Sequence, residues 1–106
     1  MNIDESLVQR SLIGCPKLPL GKILKEFERT RNFFKNKQDE TWSRCESELI
    51  QAIDTRYPRG VQWTPFIRIP DETLRNTVVP REITEKYIRC NVYCGQHLRA
   101  EDYALE

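Results

Sequence analysis

The chain has 106 residues, 39% of them hydrophobic and 31% charged, with 17 Lys and Arg against 16 Asp and Glu for a formal net charge of +1. That size fits one domain with its own small core, and the supply of Ile, Leu, Trp, Phe and Tyr excludes wholesale disorder. A near-neutral total excludes a global field that gathers nucleic acid or anionic membrane, so any electrostatic role must come from local segregation of charge.

The first residues, MNIDESLVQRSLIG, lack the basic start and continuous apolar stretch of a secretion signal, and no run approaches the roughly 20 apolar residues of a membrane span. A soluble intracellular protein is the expectation, without a membrane partner. The four cysteines, Cys15, Cys45, Cys90 and Cys94, are then expected as reduced thiols.

Residues 1–19 read as an N-terminal arm that packs on the domain or on a partner, ahead of a single small domain over 20–106. A short helix over Asp4 to Leu12 carries only a weak apolar stripe, and Gly14, Pro16 and Pro19 then interrupt regular structure.

From Leu20 the pattern sharpens. Leu20, Ile23, Leu24, Phe27 and Phe34 fall on one side of a helix, while Lys22, Lys25 and Arg29 lie almost opposite with Phe33 among them. This predicts a basic stripe carrying an exposed aromatic, diluted by Glu26 and Glu28. Asn36 to Asp39 make a link, Asp39 is placed to cap the next helix, and Glu40 suits its first turn. In that second helix Trp42, Cys45, Leu49, Ala52, Ile53 and Arg56 trace one face, so an antiparallel helical hairpin is expected from Leu20 to Arg56.

Tyr57, Pro58, Arg59 and Gly60 stop the helix. Val61, Trp63, Pro65, Ile67 and Ile69 then alternate with Gln62, Thr64, Phe66 and Arg68, the two-residue period of a half-buried strand, and Pro65 confines it to an edge or a bulge. Asp71 to Arg75 suit one capped helical turn, and Thr77 to Val79 a short strand.

Pro80 to Gly95 fits two periods. A helix starting at Pro80 puts Ile83, Tyr87, Cys90 and Cys94 on one face. A strand from Lys86 to Cys94 puts Ile88, Cys90, Val92 and Cys94 together, and the β-branched and aromatic content favours it. The tail from Gln96 to Glu106 reads as a short terminal helix or a frayed end. The resulting expectation is an α+β fold of N-terminal arm, helical hairpin and a small antiparallel sheet of two or three strands. Its alternative is mostly α, with a third helix at 80–94.

Cys90, Cys94 and His97 form the densest set of metal-ligand types, and zinc takes thiolate and imidazole ligands. A paired Cys-x2-Cys is absent, which favours ordinary structural cysteines. On a strand, moreover, Cys90 and Cys94 stand about 13 Å apart, too far for one metal. His97 is the only histidine available to a thiol catalyst, which would pair it with Cys94, and none of the common hydrolase, protease or nucleotide-binding motifs occurs.

The expected role is a small non-enzymatic interaction protein, an adaptor, inhibitor or regulatory subunit. It binds another protein through an exposed hairpin face or a sheet edge and can self-associate as a homo-oligomer. The alternative is nucleic-acid binding, with Lys22, Lys25 and Arg29 on phosphates, Phe33 stacked on a base, and zinc at Cys90, Cys94 and His97 as an accessory.

Overall fold

The computed structural model of the chain describes residues 3–14 and 17–105, with side chains described as far as residue 95. Among the described residues there are five helices, α1 (Glu5–Gly14), α2 (Leu20–Phe34), α3 (Glu40–Arg56), α4 (Glu72–Arg75) and α5 (Arg81–Leu105), amounting to about two thirds of the chain. There is no β-strand or sheet among them. The expected α+β fold is therefore overturned, and the mostly α alternative is the arrangement adopted.

Local signals set most of the boundaries. Asp4 Oδ1 accepts the Leu7 N–H at 3.1 Å ahead of α1. Asp39 Oδ1 accepts the Trp42 N–H at 2.9 Å, and Asp71 Oδ1 accepts the Thr73 N–H at 3.0 Å, so each carboxylate caps the helix that follows it. The Thr73 hydroxyl also donates to Asp71, and these two bonds hold the Asp71 carboxyl below its usual range. After α3 the left-handed position falls on Arg59, with φ of 59°, and not on Gly60. Gly60 serves proximity instead: a Cβ there would stand 2.8 Å from the Leu74 side chain and 3.1 Å from the Tyr57 carbonyl.

The segment read as a strand over 86–94 is the middle of α5. This helix is packed by α1, α2 and α3, with α3 its most extensive neighbour. A helix covered on several sides buries apolar residues around most of its circumference. Ile83, Tyr87, Cys90 and Cys94 are buried as one helical face requires, and Ile88 and Val92 are buried as well. Their burial gives the sequence its false two-residue rhythm.

The run from Val61 to Ile69 keeps its predicted alternation at both ends without a sheet, and breaks it at Pro65, which is exposed at the turn. Val61 and Ile69 are buried, Trp63 and Ile67 half-buried, and Gln62, Thr64, Phe66 and Arg68 exposed. The segment pairs with itself: Gln62 and Arg68 exchange two backbone bonds of 2.8 Å each across a turn containing a cis Thr64–Pro65 bond. Thr77 to Val79 likewise forms a single antiparallel bridge, Val78 with Pro19, rather than a strand of a sheet.

The core runs from Val8 and Leu12 of α1, through Leu20, Ile23, Phe27 and Phe34 of α2 and Leu49 and Ile53 of α3, to Ile83 and Cys90 of α5. Between α2 and α3 it is aromatic, with Phe34 stacked on Trp42 at 4.8 Å and Phe27 tilted against Trp42 at 5.7 Å. α2 and α3 thus meet through large rings rather than along closely packed backbones, while α3 packs most extensively on α5. Among the described residues no helix is long and apolar enough to cross a membrane.

Candidate interaction face

The basic stripe of α2 is partly as its spacing predicts. Lys22, Lys25 and Arg29 are exposed, and Arg29 pairs with Glu26 at 3.5 Å. Phe33 departs from the expectation of an exposed aromatic. It is half-buried against the core, meets Phe34 edge to face at 5.0 Å, and is covered by the Lys37 ammonium 4.7 Å from its ring centre.

The exposed aromatic of this face is Phe66, which is 72% accessible at the turn of the 62–70 loop. Polar bonds to α2 and α3 pin that loop. Ile67 N–H donates to Glu28 Oε2 at 3.1 Å, and Arg31 Nη1 donates to the Trp63 carbonyl at 2.8 Å. The Trp63 indole N–H donates to Asp54 at 2.9 Å, and its ring meets Phe27 edge to face at 6.2 Å. Arg68 donates to the Gln62 side-chain oxygen, bracing the base of the turn.

Open grooves flank the loop. One, of about 530 Å³, runs between the first half of α2, residues 67–70 and α4, and Lys25, Arg68 and Arg75 stand in its walls. The other, of about 390 Å³, runs between the second half of α2 and the start of α3, with Arg31, Lys35 and Lys37 in its walls beside Phe66. The acids here are engaged: Glu28 by Ile67, Glu46 by Arg31 at 3.4 Å, and Glu72 by Arg75 at 3.0 Å. Lys25, Lys35 and Lys37 have no carboxylate partner among the described residues. The face is a projecting phenyl ring with Lys35 and Lys37 in the groove beside it.

Sequence reasoning assigned Phe66 to the outward side of an alternating run and gave it no role. The available signal was an aromatic on the polar side, directly after a proline. A second exposed apolar area lies elsewhere, where Ile13 is 80% and Val78 48% accessible along a groove rimmed by Lys17 and Arg81.

The thiols resolve differently from the expected cluster. α5 sets Cys90 and Cys94 one turn apart and both buried, not 13 Å apart on a strand. They face different neighbours: Cys90 is within hydrogen-bond reach of Cys45 on α3, and Cys94 of the Thr30 hydroxyl on α2. Burial raises the Cys94 pKa, against the direction an activated nucleophile needs. The His97 side chain and Cys15 lie outside the described residues. Among those described, no three His, Cys, Asp or Glu residues are grouped to hold a metal ion.

No family model, curated protein or solved structure matches the chain.

Proposed function

We propose that the chain is a small non-enzymatic interaction protein that docks another protein on the face built by α2 and the 62–70 loop. The observation that carries this reading is Phe66, a phenyl ring 72% exposed on a loop held by hydrogen bonds to Glu28 and Arg31. A large aromatic side chain is the kind of anchor on which interface energy concentrates, and a loop already held in shape loses little entropy on docking. The lysines around it favour an acidic partner surface, through steering and exclusion of basic competitors. Self-association belongs to the same proposal through the apolar groove at Ile13 and Val78.

The test puts a photoreactive benzoyl-phenylalanine at position 66 and crosslinks in lysate of the source cells. One specific adduct is expected, competed by excess wild-type protein and not by folded Phe66→Ala. Equal competition by the two proteins overturns the reading.

A second reading, binding of single-stranded nucleic acid, is favoured by Lys35 and Lys37, which have no carboxylate partner among the described residues and share a groove with the ring, and by Lys25 in the groove on the other side of the loop. Backbone phosphates follow such charges while an aromatic stacks on a base. Salt-sensitive retention of a labelled oligonucleotide, lost in Lys25→Glu with Lys35→Glu, supports it. Failure to bind at low salt removes it.

A further inference from the structure

The seam between α3 and α5 carries a thiol pair that the interaction face does not use. Cys45 on α3 and Cys90 on α5 are both free, both buried, and within hydrogen-bond reach of one another. They differ in access. Cys45, 5% exposed, forms part of the wall of an open cavity of about 400 Å³ bounded by the start of α1 and the polar flanks of α3 and α5. Cys90, 1% exposed, stays outside that wall.

The cavity is polar around the Cys45 sulfur. Thr41 stands one turn earlier on α3, with Arg44, Glu48 and Arg89 in the same wall. Arg89 is held in position by Glu5 at 2.6 Å and Glu85 at 3.2 Å, so α1 helps to fix the cationic side. The Cys90 thiol, acting as hydrogen-bond donor, lowers the Cys45 pKa. Burial and Glu48 oppose that shift, and Arg44 and Arg89 add to it. Cys90 is raised, first by this same bond and then by burial, and so keeps its proton. One sulfur is set up to react first and the other to follow.

We propose that Cys45 is a peroxide-sensitive thiol and Cys90 its resolving partner, so that hydrogen peroxide entering the cavity converts the pair into a disulfide across the α3–α5 seam. The Cys45 thiolate attacks one peroxide oxygen, an S–O bond forms as the O–O bond breaks, and the departing hydroxide takes up the Cys45 proton as water. The Cys90 sulfur then attacks the sulfenic sulfur of Cys45. An S–S bond forms, the S–O bond breaks, and the second hydroxide leaves as water with the Cys90 proton. Two thiols lose two electrons, and one peroxide gains them to give two waters. Cys94 lies one turn further along α5 but faces Thr30, which makes Cys90 the partner.

The test uses the intact native protein, a few equivalents of hydrogen peroxide, and alkylation with N-ethylmaleimide in denaturant before trypsin and tandem mass spectrometry. Cleavage isolates Cys45 in peptide 45–56 and Cys90 with Cys94 in peptide 90–99, whose fragments separate the latter two. The expected result is loss of one alkyl adduct from each peptide and a linked species joined through Cys45 and Cys90, reversed by dithiothreitol. Folded Cys90→Ala should accumulate a sulfenic acid at position 45 that dimedone traps, and Cys94→Ala should still form the link. Full alkylation of both peptides after peroxide, or linkage through Cys94 or Cys15, overturns the proposal. The wild-type measurement alone decides between these outcomes, whether or not the variants fold.

Discussion

The α3–α5 seam and the 62–70 loop are built from opposite materials. The seam is apolar along its centre, with Leu49 and Ile53 of α3 and Ile83 of α5 wholly removed from solvent, and it meets an open polar cavity at Cys45. The loop is held where Ile67 N–H donates to Glu28, the Trp63 indole donates to Asp54 and Arg31 donates to the Trp63 carbonyl, and it turns Phe66 outward. Apolar burial is the large favourable contribution to folding, whereas a hydrogen bond adds about 0.5–1.5 kcal/mol net. The difference assigns stability to one region and presentation to the other, so a surface residue of the loop is free to change without unfolding the chain.

The strongest way to break this comparison is to truncate one residue in each region. Leu49→Ala should cost about 2–5 kcal/mol in urea unfolding, the range for a large side chain removed from a core. Phe66→Ala should stay within about 0.5 kcal/mol, as exposed positions do, while abolishing the crosslink partner's binding. Comparable losses from both substitutions would mean that the loop is part of the core after all.

A smaller effect tests the polar tie within the seam. The Tyr93 hydroxyl of α5 donates to the Asp39 carboxylate at 2.7 Å, joining α5 to the cap of α3. Burial, and then that bond, push its pKa up to about 12 from an ordinary 10.0. The native state therefore holds a proton that the unfolded state releases first. The corresponding stability is fully present below pH about 10 and is lost as pH rises toward about 12. Tyr93→Phe should cost about 1.5–3 kcal/mol at neutral pH and remove that alkaline decline, read by unfolding curves across the window.

The mildest change sharpens the loop's side of the contrast. Arg31→Ala removes the bond to the Trp63 carbonyl and the pair with Glu46. It should cost about 1 kcal/mol of stability. The Gln62 and Arg68 amides, bonded to each other across the turn, should exchange faster with solvent hydrogen while those of α3 stay protected. Unchanged exchange at Gln62 and Arg68 would show that the turn's own bridge suffices to hold it.

Features written locally were legible in the sequence. The start of α2 at Leu20, the Asp39 cap, the end of α3 at Arg56 and the Asp71-capped turn all come from signals within a few residues. Features set by distant packing were not. Ile88 and Val92 belong to a strand only if α5 has one buried face, and it has several because three helices pack on it. Phe33 was read as surface from its angle on the helical wheel, but the next residue, Phe34, brings a ring against it. The alternation at 61–69 identified which side chains face out, including Phe66, and could not reveal that the segment pairs with itself. Lys22, Lys25 and Arg29 of α2 are exposed as their spacing predicts, while nothing in the spacing singles out Phe66 or the lysines beside it, Lys35 and Lys37.

The central place of α5 has a consequence for how the chain is made. Synthesis runs from the N-terminus, so α1, α2 and α3 emerge before the helix against which all three pack. Val8 of α1 and Leu49 and Ile53 of α3 then wait for their covering helix, since ties such as Glu5 to Arg89 span 84 positions. Contacts this distant in sequence slow folding and leave sticky intermediates exposed meanwhile. The apolar faces that α1 and α3 turn toward α5 are therefore covered only once residues 81–95 are free to fold.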